Sequence, residues 1–121
     1  AILMEKLQVT LGIDIGGTNT KMGIVNRVGN CLAATSFPTA SEKPFDDFVN
    51  RVESHMQGLL AQLTEKVQVV AIGIGAPNAN YYTGLIEMPP NLFWGERVAI
   101  AERISSRLGL PVFLTNDANE A

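Results

Sequence analysis

The stretch Asp14-Ile15-Gly16-Gly17-Thr18-Asn19-Thr20-Lys21 decides how the chain is read. Upstream of it, Val9, Leu11, Ile13 and Ile15 alternate with Thr10, Gly12 and Asp14. That is the period of a strand with one apolar face and one small, polar face. Downstream, Met22, Ile24 and Val25 carry a second strand, so the glycines lie in a turn between two strands. Adjacent glycines permit a tight turn with positive φ and let backbone N–H groups come close to an anion. Thr18 adds a hydroxyl donor and Lys21 a cation. Asp14 ends the first strand with a carboxylate able to hold magnesium, usually through water. These are the parts of a phosphate–metal cradle. The plain alternative is a hairpin turn, because Gly-Gly and Asn are common turn formers.

Two better-known phosphate loops do not fit. A Walker A loop needs Gly-Lys-Ser/Thr, which does not follow here. A dinucleotide fingerprint opens into a helix, whereas this loop opens into a strand.

Outward from the turn, Val28-Gly29-Asn30 predicts a hairpin into a third strand over 31–37. Between Pro44 and Leu63 the period changes. Phe45, Phe48, Val49, Val52, Met56, Leu59, Leu60 and Leu63 fall at three- and four-residue steps, the stripe of an amphipathic helix. Pro44 suits its first position, and Asp46 and Asp47 complement the dipole in its first turn. Residues 67–74 predict a buried strand whose second face is kept small by Ala71 and Gly73. Residues 81–86 predict a small hairpin, and 96–108 a second helix stopped by Gly109-Leu110-Pro111. A last strand covers 111–115. The order β-β-β-α-β-(hairpin)-α-β-α is an α/β layer arrangement with mixed strand directions.

The 121 residues argue for one domain, and 46% apolar with 17% charged residues argues against disorder. With 9 Lys+Arg against 12 Asp+Glu, the formal charge is −3, which leaves no electrostatic footprint for nucleic acid or an anionic membrane. No apolar run reaches membrane-spanning length. The single cysteine, Cys31, builds no disulfide framework, and a reducing, cytoplasmic setting is the simplest reading. Met4 reads as a natural start, and residues 116–121 read as a strand running into a helix. The expectation is therefore the front piece of a longer chain.

Asn116-Asp117 stands at the carboxyl end of the last predicted strand, where α/β sheets place ligand-handling groups. A carboxylate there can take the proton of a hydroxyl that attacks a phosphoryl group, while the amide fixes other hydroxyls. Taken in isolation, an Asn-Asp at that position more often just caps the next helix. His55 reads as a boundary residue of the first helix, and Cys31 as strand packing. Tyr81, Tyr82, Phe93 and Trp94 could stack on a ligand or pack the core. Asn80 and Asn91 could bind hydroxyls or form turns.

Asp-x-Gly-Gly-Thr-x-x-Lys between two strands resembles the first phosphate motif of the sugar-kinase/actin/heat-shock ATPase superfamily. Its Gly-Gly-Thr-x-x-Lys form is similar to the ROK family of sugar kinases and repressors. Gly73-Ile74-Gly75-Ala76-Pro77, then Gly84, then Pro90-Asn91-Leu92 with Trp94 resembles the stretch that lines that family's sugar cleft. Asn116-Asp117-Ala118-Asn119 resembles its Asn-Asp-Ala-Asn motif. Asn78 stands where most members have Gly, and Asn tolerates left-handed backbone.

The resemblance covers about residues 9–121 and implies a ribonuclease H-like domain of the actin/hexokinase ATPase type, a mixed sheet flanked by helices. It implies residues 1–121 as the N-terminal domain of an ATP-dependent hexose kinase, glucokinase-like, acting on the sugar's 6-hydroxyl. Asp117 would be the general base. Gly16, Gly17, Thr18 and Lys21 would bind phosphate; Gly75, Asn78, Asn91 and Asn116 would bind sugar. Asp14 would hold Mg²⁺ through water. The nucleotide-base pocket, part of the sugar site and a zinc-binding Cys/His cluster would lie beyond residue 121, so the fragment alone should be inactive. The whole protein would be a homo-oligomer, a dimer. A ROK-type sugar-sensing repressor needs a DNA-binding segment ahead of Asp14, and an actin- or chaperone-like ATPase shares the cradle without the later motifs.

Overall fold

A computed structural model describes residues 6–40, 42–76, 79–80, 85–87 and 97–116. Three strands open the chain: β1 (Leu7–Ile15), β2 (Asn19–Asn26) and β3 (Cys31–Pro38). Helix α1 (Phe45–Ala61) follows, then β4 (Val67–Ala76) and the short strands β5 (Ala79–Asn80), β6 (Leu85–Glu87) and β7 (Arg97–Val98). Helix α2 (Ile100–Leu108) leads into β8 (Val112–Asn116).

The main sheet has the order β3-β2-β1-β4-β8. β1, β4 and β8 run parallel, with β2 and β3 added antiparallel on one side. Strands β5-β6-β7 form a separate small antiparallel sheet. This is the mixed α/β architecture of the actin/hexokinase-type ATPase fold.

One face of the sheet carries the core. Leu11, Ile13 and Ile15 of β1, Met22 and Ile24 of β2, Ile72 and Ile74 of β4 and Leu114 of β8 pack with Phe48, Val52 and Leu59 of α1 and Ile100 and Ile104 of α2. Both helices therefore share one side, as their apolar stripes require. Their seam is rimmed by Arg107, which meets Glu53 and Asn50, and by Arg103, which meets Asp46 and lies 5.2 Å from the Phe45 ring.

β4 reaches this pairing through a bulge. Val9 pairs with Val69, but Thr10 pairs with Ala71, which leaves Val70 extra. One added residue shifts every later side chain to the other face. The shift sets Ile72 and Ile74 beside Leu11 and Ile13, and Gly73 and Gly75 beside Gly12 and Asp14.

Several sequence expectations need correction in detail. Pro44 is the N-cap of α1 (φ −56°, ψ 149°), one place before the first helical residue. The second helix starts at Ile100 and not at residue 96, because Arg97 and Val98 pair with β6. Residues 81–84 of the expected hairpin lie outside the described residues; its second half is β6. Cys31 is exposed, yet the expected strand packing holds: its sulfur lies over Gly23 of β2, 3.2 Å from where a Cβ there would stand, with its thiol 3.4 Å from the Ala33 carbonyl. The expected stop at Gly109 holds: its φ is 70°, and its N–H bonds the Ser105 carbonyl. The β2–β3 turn also holds, with Gly29 at φ 91°. There the Asn26 side chain accepts from the N–H groups of Val28 and Asn30. His55 is half-buried and stacks on the Phe37 ring at 4.3 Å.

Among the described residues no helix is long and apolar enough to cross a membrane.

Candidate functional site

The sheet's second face is built from what β1, β2 and β4 do not carry. Gly12 pairs with Gly23 on one side and Gly73 on the other, so three neighbouring strands present glycine in one row. A Cβ at Gly12 would meet nothing closer than 3.9 Å and one at Gly73 nothing within 4 Å. Packing among the described residues therefore does not demand glycine at those two positions, whereas a Cβ at Gly23 would come within 3.2 Å of the Cys31 sulfur; together the three make a flat floor. Above that floor lies an open trough of about 460 Å³, edged by Asp14, Lys21, Cys31, Ala34 and Phe113. Phe113 of β8, beside Gly73, is 55% exposed.

One row further along, toward the carboxyl ends of the parallel strands, Asp14 stands between Lys21 of β2 and Gly75 of β4. Gly75 in turn pairs with Thr115 of β8. Asp14 and Lys21 are both exposed, and among the described residues neither has an ion-pair partner. Their charges remain available to a ligand at this end of the sheet, where parallel α/β sheets bind ligands.

The glycine turn leaves β1 at the same end. The Gly16 N–H bonds the Asn19 carbonyl at 2.9 Å and closes the turn. This closure explains Gly16, since a Cβ there would lie 2.7 Å from the Asn19 oxygen, closer than Cβ atoms approach backbone. The expectation of positive φ in this turn is corrected: among the described glycines only Gly29 and Gly109 have it. Close approach, not left-handed backbone, is what requires glycine. Among the described residues no backbone acceptor takes the N–H groups of Gly17 or Thr18, and the Thr18 side chain is exposed. Such unspent donors suit an anion. Gly16→Ala is expected to destabilise the protein by ~1–3 kcal/mol, the usual cost of forcing a methyl into a filled site. A urea denaturation midpoint equal to that of the unsubstituted protein would show that the turn relaxes freely.

Beneath the turn lies a contact that sequence reasoning missed. Thr39, just past β3, is fully buried and bonds both Gly16 and Thr18. A signal did exist: Thr20 occupies an inward position of β2, ahead of Met22 and Ile24, where an apolar residue is the rule.

Of the other predicted site residues, Gly75 joins Asp14 as described. Asn116 ends β8 beside Ala76, at the same end of the sheet as the glycine turn. Asn78, Asn91 and Asp117 lie outside the described residues, as do Tyr81, Tyr82, Phe93 and Trp94. No three His, Cys, Asp or Glu side chains converge on a metal site among the described residues. Asp14, a carboxylate without an ion-pair partner among the described residues and beside the unspent N–H groups of the turn, fits Mg²⁺ instead, which binds through one or two carboxylates, waters and substrate phosphates.

The described geometry has parallels in known proteins. The chain is 34% identical over 114 residues to a glucokinase of Streptomyces coelicolor, covering 93% of this chain and 34% of that protein. A ROK family glucokinase from Streptomyces griseus, solved in complex with glucose and AMPPNP, superimposes with a TM-score of 0.74 at 30% identity, over 92% of this chain and 34% of the other. A ROK family transcriptional regulator, a homologue of the E. coli MLC protein, superimposes with a TM-score of 0.79 at 23% identity over 91% of this chain and 28% of that one; at that identity the likeness is one of fold. The chain thus spans about a third of the length of these relatives. The model of the ROK family matches residues 10–121, and the chain belongs to the ROK family.

Proposed function

We propose that residues 1–121 are the N-terminal domain of a sugar kinase that transfers the γ-phosphoryl group of ATP to the 6-hydroxyl of a hexose. The observation that carries this reading is the pairing of Asp14 with Lys21 and Gly75, beside a turn whose Gly17 and Thr18 N–H groups, like both charges, have no partner among the described residues. Phosphoryl transfer asks for little beyond such positioning and charge stabilisation.

In this reading Gly16, Gly17, Thr18 and Lys21 receive phosphate, and Asp14 holds Mg²⁺ through water. Mg²⁺ when bound neutralises charge on the phosphates. Gly75, Asn78, Asn91 and Asn116 hold sugar hydroxyls, and Asp117 takes the proton of the attacking hydroxyl. The rest of the longer protein supplies the adenosine pocket, the zinc cluster and the dimer contacts, and the whole works in the cytoplasm. Kinship with proteins named glucokinase supports glucose as the first sugar to try.

A coupled assay of ADP release tests the proposal. The full-length protein is expected to form ADP with glucose or another hexose only when Mg²⁺ is present, and residues 1–121 alone are expected to form none. Sugar binding without ADP release from any hexose would overturn the kinase reading and favour a sugar-sensing regulator of the same fold. ADP release by the 121-residue chain would overturn the division of labour.

A further inference from the structure

Thr20 and Thr39 are the fully buried polar side chains among the described residues, and they bond one another, Oγ1 to Oγ1, at 2.8 Å. The direction of that bond follows from the next one. Thr39 Oγ1 lies 2.7 Å from the Gly16 carbonyl, which can only accept, so the Thr39 hydroxyl gives its one proton there. Thr20 must then donate to Thr39. The Thr39 N–H donates in addition to the Thr18 carbonyl at 2.8 Å. A single buried residue thus holds two carbonyls of the glycine turn.

In a trans peptide the C=O and the following N–H point in opposite directions. Holding the Gly16 carbonyl inward, on the buried Thr39 hydroxyl, aims the Gly17 N–H the other way, while the Thr39 N–H fixes the Thr18 carbonyl as one more rung between β2 and β3. The Gly16–Gly17 peptide is the unit most able to flip, because no Cβ on either side restrains it. A flip would turn the Gly16 oxygen outward and set a partial negative charge where an anion must sit.

Thr39 is itself fastened from behind. Arg51 of α1 donates from Nη1 to the Pro38 carbonyl at 2.6 Å and from Nη2 to the Thr39 carbonyl at 2.8 Å. Asp47 takes its Nε at 2.8 Å, and the rings of Phe37 and Phe48 flank the guanidinium at 5.6 and 5.5 Å. This brace holds the chain where Ala40 turns into left-handed backbone at φ 49°, a conformation alanine does not adopt unaided.

We infer that Thr39 is a positioning residue for the phosphate turn, with Thr20 fixing its proton and Arg51 fixing its backbone. The inference rests on the reading of Gly16–Thr18 as a phosphate site and adds the device that keeps the Gly17 amide turned toward it.

The test compares Thr39→Val, Thr39→Ser and Thr20→Val in the full-length protein, using KM for ATP, KM for the sugar and the dissociation constant of Mg²⁺·AMPPNP. Thr39→Val is expected to weaken ATP and AMPPNP roughly ten- to hundredfold, the cost of leaving a buried carbonyl unpaired. The sugar KM should stay within about threefold, and Thr39→Ser should restore nucleotide affinity. Thr20→Val should weaken nucleotide by a smaller factor, and it carries the test with Thr39→Ser if Thr39→Val does not fold. A purely structural role would lower the active fraction and leave KM for ATP alone; that result overturns the inference. So does a Thr39→Ser protein as weak as Thr39→Val. An unsubstituted protein that binds Mg²⁺·AMPPNP but phosphorylates no sugar defeats the kinase reading only, and the AMPPNP comparison among variants still decides this one.

Discussion

If the full-length protein is the proposed kinase, Asp117→Asn is expected to lower its kcat by at least ~10²–10⁴, the usual worth of general-base catalysis. A sugar hydroxyl is too weak an acid to ionise unaided near neutral pH. A positioned carboxylate should therefore take its proton as the bond to phosphorus forms. Asparagine is nearly isosteric with aspartate and caps a helix about as well, so it removes the basic oxygen and little else. Thermal stability and sugar KM should consequently change far less than kcat. The measurement is a pair of saturation curves, one in ATP and one in sugar, with a melting curve of each protein. An active Asp117→Asn enzyme, or losses of activity and stability in equal proportion, would assign Asp117 to structure and leave the base elsewhere.

The proposals differ in how much of their support was visible in the chain itself. The strands β1 and β2 were legible because Leu11, Ile13, Met22 and Ile24 repeat at the period of a strand, and the pairing that unites them is local. The α1 stripe was legible for the same kind of reason. Strand β4 was legible as a strand but not in register. Its apolar positions change phase between Val69 and Ile72, and only the neighbouring β1 turns that irregularity into a bulge that brings Gly75 to Asp14. The start of α2 was overridden by tertiary pairing of Arg97 and Val98 with β6.

Within the site, the glycine turn announced itself, whereas the reason for glycine did not. The turn needs Gly16 because Asn19 comes close, a fact of three-dimensional closure and not of dihedral preference. Thr39 was the least legible residue of all. It lies 23 positions after Gly16, and nothing in a Pro-Thr-Ala sequence says that its hydroxyl will run under the turn. Local patterns record periodicity; they do not record which distant side chain satisfies a carbonyl.

Asp14→Ala is the second substitution expected to act strongly, and it separates fold from chemistry more cleanly than any other here. Asp14 is exposed and makes no ion pair among the described residues, so the sheet does not depend on it. Its removal should shift stability by no more than about 0.5 kcal/mol, as for other surface positions without special contacts. Relief of charge at the row it shares with Lys21 leaves the turn, the Gly16 closure and the Thr39 bonds in place. If Asp14 holds Mg²⁺ as proposed, the loss falls on the metal. A carboxylate that holds Mg²⁺ against substrate phosphates takes part in several kcal/mol of charge stabilisation in phosphoryl transfer, so kcat should fall by at least ~10³. Sugar affinity, read by the sugar's quenching of tryptophan fluorescence or by calorimetry, should stay within a few fold. Asp14→Asn should behave nearly as badly, since it keeps the shape and removes the charge. Near-normal kcat of Asp14→Ala at ordinary Mg²⁺ would reduce the Gly16–Gly17 stretch to a tight turn and move the metal site to other residues.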